Sequence, residues 1–315
     1  MIKLTGDGRR LVFVASGGLG DCLLLTPFLR ALRRSGKYGA ITVAVQKNAV
    51  QIYDHNPHLD HLAPCHGDDL FMWALEEPDA DLFAPYIDVR SHERENPFSV
   101  RVEPVMAPNP VGRPIIAQVA QMAGMELSGE DAAMEIHTTP EDIQFARGLF
   151  SEDDSRPVLY INTSSNFVEK QYPADKYREV ARLLEGKVRL ISAQDCAEGV
   201  DPAHVICPAP GLRALAEIMK RVDCVLSVDS FPQHLAAAVG TPAVTLFGAS
   251  NPEVFGHDNG YNISSGACPS CADTPRRKKC QRHVCMESID PGVVVDAVLN
   301  LIEARTRVHA MGGSP

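Results

Sequence analysis

Short apolar runs alternate with amphipathic segments along much of the chain. Near the N-terminus, the apolar run Leu11–Ala15 leads through the turn SGGLGD into a segment with one apolar face, and Ile41–Val45 is the next apolar run. Short wholly apolar runs are typical of buried parallel strands, and apolar residues spaced three and four apart indicate a helix. The pattern predicts a βαβ unit with a right-handed crossover. Pro27 should kink the helix or delay its regular start.

The same alternation returns in the second half of the chain. The strands predicted there are Val158–Asn162, Val188–Ser192, Cys224–Val228 and Ala243–Phe247, and the helices are Pro173–Glu185, Leu212–Val222, Pro232–Val239 and Pro291–Val308. Between the two halves, periodicity predicts a strand at Tyr86–Val89 and helices at Ile115–Met125 and Pro140–Phe150. Strands that alternate with helices in both halves predict an α/β protein of two doubly wound domains.

An acidic segment, Ser151–Arg156, precedes Pro157 and is the predicted linker. We therefore expect an N-terminal domain of residues 1–154 and a C-terminal domain of residues 155–290. Residues 291–315 form a terminal helix and tail, which we expect to pack back toward the N-terminal domain.

Composition excludes several classes of protein. The 315 residues suffice for two domains, and contents of 45% hydrophobic and 22% charged residues are typical of a folded protein. A net charge of -10 argues against a general nucleic-acid binder. The N-terminus does not match a signal peptide, and no apolar run approaches about 20 residues. We expect a cytoplasmic protein whose nine cysteines are reduced thiols or metal ligands.

The turn SGGLGD contains a candidate catalytic acid, Asp21. Gly18 and Gly20 fit part of a dinucleotide-binding pattern, but Leu23 stands at the third glycine position and the second strand ends in Gln46. NAD binding is therefore disfavoured, and the Walker pattern is absent. Asp21 is either a helix N-cap or a catalytic residue.

A run of hydroxyl side chains follows the strand that ends at Asn162. Ser164 and Ser165 precede Lys170 in NTSSNFVEKQYP. Hydroxyls, backbone N–H groups and a lysine at the carboxyl end of a parallel strand suit a phosphate. The alternative is an ordinary polar loop with a surface lysine.

A second polar group follows the strand Cys224–Val228. Asp229 leaves this strand at its carboxyl end, and His234 falls in the first turn of the next helix. The positive end of a helix beside these residues suits an anionic ligand. The alternative for His234 is a structural histidine that is satisfied within the core.

Four cysteines lie close together in the segment 268–285, here called the four-cysteine segment. They are Cys268, Cys271, Cys280 and Cys285. Four thiolates are candidate ligands for a structural zinc or iron ion. The alternatives are reduced thiols or a pair that oxidises. The intervening RRKK loop would suit an anionic acceptor or a membrane surface, or is a solvated face.

Several of these stretches resemble glycosyltransferase family 9, the ADP-heptose:lipopolysaccharide heptosyltransferases. The similar stretches are GGLGDCLLLTPFLRALR, DHNPHLDHL, NTSSNFVEKQYP, SVDSFPQHLAAAVGTPAVTLFGASNP and CMESIDPGVVVDAV. The resemblance implies a GT-B fold, in which two Rossmann-like doubly wound domains face each other across a cleft. It places the acceptor on the N-terminal domain and the nucleotide-sugar donor on the C-terminal domain.

The resemblance also implies roles for single residues. Asp21 becomes the general base. The residues placed at the donor are Gly18, Gly20, Ser164, Ser165, Lys170, Asp195, Asp229, Ser230 and His234. Of these, Ser164, Ser165 and Lys170 would take the diphosphate and Asp195 the ribose.

The implied reaction is inverting transfer of a heptose from ADP-heptose, with no cofactor required for catalysis. The acceptor would be a glycan, lipid-linked or protein molecule, and the enzyme would contact the inner face of the inner membrane peripherally. A protein is among the candidate acceptors because the four-cysteine segment resembles the metal-binding finger of heptosyltransferases that modify autotransporters. The acceptor would meet the variable segment Asp88–Arg113, where Arg90, Arg94 and Arg101 lie.

One departure from the family pattern leaves alternatives open. The family has glycine two residues after the strand-ending Asp, where this chain has Phe231. A bulky ring there would crowd the donor or reshape the sugar pocket. The alternatives are a GT-B enzyme that uses another nucleotide sugar, and a non-catalytic binding protein on a glycosyltransferase scaffold.

Overall fold

The computed structural model of the chain describes residues 2–6, 8–66, 79–85, 114–127, 129–150, 154–193, 204–207, 210–272, 274 and 276–310. Contacts within the chain divide it into two compact units, Met1–His137 and Thr138–Pro315. The predicted strand Tyr86–Val89 and the segment with Arg90, Arg94 and Arg101 lie outside the described residues, as does Asp195.

The first unit is built around a sheet whose described strands lie in the order β1-β5-β2-β3-β4. These strands are β1 (Ile2–Lys3), β2 (Arg10–Ala15), β3 (Ala40–Gln46), β4 (His61–Cys65) and β5 (Asp81–Phe83). The described helices of this unit are α1 (Leu19–Leu24), α2 (Thr26–Arg34), α3 (Val50–Tyr53) and α4 (Ile115–Ala123). Strands β5, β2, β3 and β4 are parallel, and β1 runs antiparallel to β5. The sheet confirms the predicted parallel βαβ unit.

Pro27 interrupts the helix that was predicted after the glycine-rich turn. Helix α1 ends at Leu24, and α2 begins at Thr26 with Pro27 in its first turn. Proline lacks a backbone N–H and is tolerated in a first turn, where that donor would have no intrahelical partner. The helical segment therefore does not start late, and the kink expected at Pro27 takes the form of a break between two helices.

The second unit contains a parallel sheet in the order β11-β10-β9-β6-β7-β8. Its strands are β6 (Val158–Asn162), β7 (Arg189–Ser192), β8 (Val205–Ile206), β9 (Cys224–Val228), β10 (Ala243–Phe247) and β11 (Gly260–Ser264). Its helices are α5 (Pro140–Arg147), α6 (Ala174–Leu184), α7 (Leu212–Arg221), α8 (Phe231–Ala238), α9 (Pro252–Phe255), α10 (Val284–Glu287) and α11 (Pro291–Ala310). Counted along this unit, the order is 6-5-4-1-2-3, that of a doubly wound Rossmann sheet.

The core of the second unit lies between the sheet and two helices. Val180 of α6 and Val294 and Val298 of α11 are fully buried in one apolar cluster with residues of β6, β9 and β10. Helix α11 therefore packs on the sheet of its own unit. The expected packing of this helix toward the N-terminal domain concerns the relation between the units and stays a prediction.

Helix α5 belongs to the second unit. Asp142 of α5 forms an ion pair with Arg213 of α7 at 3.0 Å, and the Thr138 hydroxyl donates to the Glu217 carboxylate at 2.7 Å. The contacts thus divide the chain before α5, whereas the predicted division at residues 154/155 lies after it. The predicted domain boundaries stay a prediction.

Candidate functional site

The carboxyl edge of the second sheet brings together the polar residues that follow β6 and β9. These strands are neighbours, with Asn162 opposite Ser227. They also come from the two halves of the unit, so the strand order reverses between them. In open α/β sheets, ligands bind outside the carboxyl ends of the strands at such a reversal. The topology therefore identifies this edge as the candidate site.

Asn162, the last residue of β6, links the two polar groups. Its amide nitrogen donates to the Ser164 carbonyl at 3.0 Å and to the Ser230 hydroxyl at 2.9 Å. The Ser164 hydroxyl donates back to the Asn162 amide oxygen at 3.2 Å. Sequence reasoning missed Asn162 because it was counted as part of an apolar strand. A polar residue at the carboxyl end of that strand was the available signal.

Lys170 and Asp229 form the electrostatic centre of this edge. The Lys170 ammonium lies 2.6 Å from one carboxylate oxygen of Asp229, whose side chain is only 4% exposed. The other carboxylate oxygen accepts from the Gln233 amide nitrogen at 2.5 Å. The three residues are 59 and 4 positions apart in the chain, so the fold, and not a local motif, assembles them. An anionic ligand at this position would compete with Asp229 for the lysine.

Gln233 is a second residue that sequence reasoning missed. Its side chain is 1% exposed, and within the described part of the chain its amide oxygen has no hydrogen-bond partner. A buried polar atom without a partner costs about 1–3 kcal/mol, so its place beside Asp229 points to a ligand or water that satisfies it. The sequence offered only a weak signal for Gln233, because glutamine is common in the first turn of a helix.

His234, which is buried, pairs with His257, which is half-buried and lies in the loop between α9 and β11. The Nδ1 atom of His234 is 2.8 Å from Nε2 of His257, and the rings are perpendicular. Burial lowers the pKa of His234 to about 3, an effect that His257 and Lys170 reinforce and Asp229 opposes. Burial likewise lowers the pKa of His257 to about 4. Both rings are therefore neutral near pH 7, and one nitrogen of the contact donates while the other accepts.

The histidine pair should make folding stability fall in mild acid. An unfolded histidine titrates near pH 6.5, whereas the folded pair stays neutral down to about pH 4. The unfolded chain then binds the extra protons, and the free energy of unfolding falls by about 1.4 kcal/mol per pH unit for each histidine between these values. Urea unfolding at several pH values measures this slope. The double variant His234→Gln/His257→Gln should show a shallower slope, and an unchanged slope would contradict the assignment.

Two more of the predicted donor residues, Ser165 and Ser230, lie at the same edge, whereas Gly18 and Gly20 belong to the first unit. The Ser165 carbonyl accepts from the Gln171 side-chain amide at 3.0 Å, and its hydroxyl accepts from the Phe167 N–H at 3.3 Å. Ser230 is the N-cap of α8, and Phe231 is the first residue of that helix and is partly exposed. The structure thus places Ser164, Ser165, Lys170, Asp229, Ser230 and His234 at one end of the second sheet.

Asp21 occupies the corresponding edge of the first sheet, after β2. It is the third residue of α1, and its carboxylate accepts from the Gly18 N–H at 2.7 Å. The N-cap is Gly18, so the alternative that Asp21 is the N-cap is wrong. The Asp21 side chain nevertheless accepts a backbone N–H at the start of the helix. The bond holds the carboxylate at the positive end of α1, where an anion is stabilised.

The glycine with unusual backbone geometry in this turn is Gly17. Its φ is 100°, whereas Gly18 has φ −76° and Gly20 lies within α1. A Cβ atom at Gly17 would lie 2.7 Å from a carboxylate oxygen of Asp21. Gly17 is therefore the position in this turn where a side chain would collide with Asp21.

Gly17→Ala should destabilise the protein more than Gly36→Ala does. Gly36 also has positive φ, but a Cβ there would contact nothing within 4 Å, so this variant reports backbone strain alone, about 1–2 kcal/mol. Gly17→Ala adds the clash with Asp21, and overpacking of this kind costs about 1–3 kcal/mol. Urea unfolding of the two variants gives the difference. Equal losses would show that Asp21 is not held against the turn.

The four-cysteine segment lies beyond β11. Cys285 is buried, Cys271 is partly buried, and Cys268 and Cys280 are exposed. Burial and the neighbouring Cys268 thiol raise the pKa of Cys285 to about 11. Burial and the thiols of Cys280 and Cys268 raise the pKa of Cys271. The four thiols are therefore close enough to affect one another.

The described cysteines form no disulfide. Across the described ranges, no group of three or more His, Cys, Asp or Glu side chains is arranged so that it could hold a metal ion. The four sulfur atoms thus lie in one segment, but their side chains are not in a ligating arrangement.

Among the residues that the structure describes, no helix has the length and apolar character needed to cross a membrane.

The family model of glycosyltransferase family 9 (heptosyltransferase) matches residues 110–288, more than half of the chain. The chain belongs to glycosyltransferase family 9. The match includes both polar groups at the edge of the second sheet and the whole four-cysteine segment. The resemblance seen in the sequence is therefore confirmed.

Two curated heptosyltransferases align with part of the chain. Lipopolysaccharide core heptosyltransferase OpsX of Haemophilus influenzae is 30% identical over 131 residues, which are 38% of this chain and 37% of that protein. Lipopolysaccharide heptosyltransferase 1 of Salmonella typhimurium is 30% identical over 113 residues, 32% of this chain and 34% of that protein. The chain thus aligns with about a third of the length of these relatives.

Solved structures extend the similarity to nearly the whole chain. A family 9 glycosyl transferase of Veillonella parvula has a TM-score of 0.77 at 19% identity and covers 96% of this chain and 99% of its own. Heptosyltransferase WaaC of E. coli with ADP has a TM-score of 0.61 at 16% identity, covering 93% and 99%. The iron-containing dodecameric glycosyltransferase TibC of enterotoxigenic E. coli has a TM-score of 0.64 at 16% identity, covering 96% and 78%. The fold class of this family 9 chain is GT-B, with two Rossmann-like α/β domains.

Proposed function

We propose that this chain is an inverting glycosyltransferase that needs no metal ion for catalysis. It moves a heptose or a related sugar from a nucleotide diphosphate donor to a lipopolysaccharide-core or other glycan acceptor. The observation that carries the proposal is the Lys170–Asp229 pair at the strand-order reversal of a family 9 chain. In this proposal the second unit binds the donor and the first unit presents the acceptor to Asp21.

The donor diphosphate lies at the end of β6 and β9. Lys170 supplies the positive charge that a metal ion supplies in other transferases, and the hydroxyls of Ser164, Ser165 and Ser230 donate to phosphate oxygens. Displacement of the Asp229 carboxylate from Lys170 accompanies donor binding, and Gln233 keeps its bond to Asp229. Preorganised donors of this kind stabilise negative charge as it develops on the leaving group. Support for an adenine nucleotide comes from the ADP in the similar WaaC structure.

The acceptor hydroxyl reacts beside Asp21. Its oxygen forms a bond to the anomeric carbon as the bond from that carbon to the phosphate oxygen breaks, and its proton passes to the Asp21 carboxylate. The nucleoside diphosphate departs with the electron pair of the broken bond. Direct attack from the face opposite to the leaving group inverts the anomeric centre. The helix-capping bond from Gly18 orients the carboxylate and is compatible with this role.

Phe231 bears on the identity of the sugar. It begins α8, directly after Ser230, at the position where the family pattern has glycine. An aromatic ring there excludes volume next to Asp229, so we propose a donor whose sugar stacks on a ring. A different nucleotide sugar from ADP-heptose is the competing donor.

Mass spectrometry of the products tests the proposal. The protein is incubated with ADP-heptose and with lipopolysaccharide-core, lipid-linked and protein acceptors, and a heptose mass increment on an acceptor is expected. Calorimetric titration with ADP and UDP is the parallel measurement. Tight UDP binding with no ADP binding would reject the heptosyl donor, and nucleotide binding without any product would favour the non-catalytic alternative.

The four-cysteine segment carries a separate proposal, a structural zinc or iron ion. Support comes from the mutual effects of the four thiols and from the iron in the similar protein TibC. Ligation would require the thiol side chains to rotate, since they are not in a ligating arrangement. Elemental analysis of the purified protein should find about one metal ion per chain, lost in Cys271→Ser; absence of metal in the wild-type protein would overturn this proposal.

The proposed location is the cytoplasm, with peripheral contact at the inner face of the inner membrane when the acceptor is lipid-linked. Cysteines that form no disulfide in the described part of the chain suit a reducing compartment.

A further inference from the structure

We propose that Arg277 of the four-cysteine segment is a positioning residue for the donor diphosphate, acting on residues 163–170, here called the phosphate loop. The proposal rests on the proposed function, because it assumes that Lys170 of this loop binds the diphosphate. It gives the four-cysteine segment an indirect part in donor binding, through the phosphate loop.

Arg277 contacts the phosphate loop in two ways. Its guanidinium pairs with the Glu169 carboxylate and stacks over the Phe167 ring, 4.3 Å from the ring centroid. The Lys170 ammonium lies 5.5 Å from the same centroid. Two cations thus share one aromatic ring, and both interactions of Arg277 fall within three residues of Lys170.

The ion pair between Arg277 and Glu169 is partly buried, so each charge depends on the other as its partner. The Glu169 side chain is 11% exposed and the Arg277 side chain 35%. Burial raises the pKa of Glu169, but a backbone N–H and the Arg277 guanidinium together hold that pKa below its ordinary value. A buried carboxylate without its partner is strongly unfavourable, so the loop is held where Arg277 can reach it.

The four-cysteine segment is itself anchored to the sheet that carries the site. The N–H groups of Cys271 and Ala272 donate to the Ala249 carbonyl after β10, at 2.7 and 2.9 Å. The Ser270 hydroxyl donates to the Ser250 carbonyl at 3.2 Å, and the Ser265 hydroxyl donates to the Cys285 carbonyl at 2.8 Å. Arg277 is therefore carried on a segment that is fixed on both sides of it.

Gly248 shows how closely these elements approach one another. A Cβ atom at Gly248 would lie 2.6 Å from the Met286 sulfur and 3.0 Å from the Glu169 carbonyl oxygen. The end of β10 thus touches α10 on one side and the phosphate loop on the other. A shift of the four-cysteine segment would be transmitted to Glu169, and Lys170 is the next residue.

The chemistry of the contact favours arginine over lysine. A guanidinium is planar, so it stacks on an aromatic face while its N–H groups pair with a carboxylate; an ammonium lacks that planar face. Displacing a ligand-binding group by about 1 Å can cost on the order of 10²-fold in rate. We therefore expect a measurable loss of donor affinity when Arg277 is changed, even though Arg277 does not touch the reacting atoms.

The test compares Arg277→Gln with Arg276→Gln in the full-length protein. Arg276 is the exposed neighbour in the same turn, so both variants lose one positive charge from the same loop. Calorimetry with ADP should show nucleotide binding weakened on the order of tenfold in Arg277→Gln and unchanged within about twofold in Arg276→Gln. Arg277→Lys should be intermediate. Equal affinities of the two glutamine variants would overturn the inference.

A double-mutant cycle tests the inference even if Arg277→Gln folds poorly. Glu169→Gln should weaken ADP binding as Arg277→Gln does, and the double variant should be no weaker than either single variant, because one contact is lost in all three. Exchange of the charges, Glu169→Arg with Arg277→Glu, should recover part of the affinity. Additive losses, or undiminished binding by Glu169→Gln, would overturn the inference.

Failure of the proposed function gives a different result. If the wild-type protein binds no nucleotide diphosphate, the proposed function fails and this inference fails with it. If the wild-type protein binds ADP, Lys170→Met does not, and Arg277→Gln binds as well as the control, only the inference fails.

Discussion

Asp21→Asn is expected to lower glycosyl transfer by about 10²–10⁴-fold while nucleotide affinity stays within about twofold of the wild type. The amide cannot accept the acceptor proton, so the chemical step loses its base. Its side-chain oxygen can still accept from the Gly18 N–H, so the start of α1 should remain intact. Single-turnover rates with saturating donor, together with calorimetric titration of ADP, separate the two effects.

Asp131→Asn is the matched control for this change. Asp131 is an exposed acid of the same unit that pairs with Arg34 at 3.1 Å, so the variant removes the same charge from a surface ion pair. Exposed pairs contribute about 0–1 kcal/mol, and transfer should be unchanged. Transfer by Asp21→Asn at the wild-type rate would remove Asp21 from the mechanism.

Lys170→Met should both abolish tight nucleotide binding and destabilise the fold. The Asp229 carboxylate is 4% exposed and would lose its counter-ion. Breaking a buried ion pair by removing one partner costs about 3–5 kcal/mol. The loss of the ammonium should also weaken ADP binding by about 10²-fold, equivalent to roughly 2.7 kcal/mol. Urea unfolding and calorimetry measure the two losses independently.

The double variant Lys170→Met/Asp229→Asn distinguishes stability from binding. It removes both charges, so much of the lost stability should return, whereas ADP affinity should not. Lys187→Met is the control, because this exposed lysine donates to the Leu183 carbonyl at 3.0 Å, and it should change neither quantity. Recovery of ADP binding in the double variant would show that Lys170 is structural and does not bind the diphosphate.

The sequence by itself determined the four central strands of the second sheet and missed its two edge strands, β8 and β11. Strands β6, β9 and β10 begin and end at the predicted residues, since short apolar runs bounded by prolines and polar residues are a local signal. It also determined that hydroxyls, Lys170 and Asp229 lie at carboxyl ends of parallel strands, because the direction of a strand follows from the alternation of strands and helices.

Only the tertiary structure decided which of these residues meet. Strand order makes β6 and β9 neighbours, and this pairing brings Asn162 to Ser230 and Lys170 to Asp229. The pairing of His234 with His257 depends on how the loop before β11 lies against α8. Periodicity cannot reveal such contacts, since it describes one element at a time.

The same distinction applies to the glycine-rich turn and to the four cysteines. The turn was evident in the sequence, yet Gly17 is the residue with positive φ because the chain path from β2 into α1 decides where the bend falls. The cysteine spacing was evident too, but the contact between Arg277 and Glu169 joins residues 108 positions apart. Local pattern determined the elements and the chemical groups of this protein, and long-range packing decided their partners.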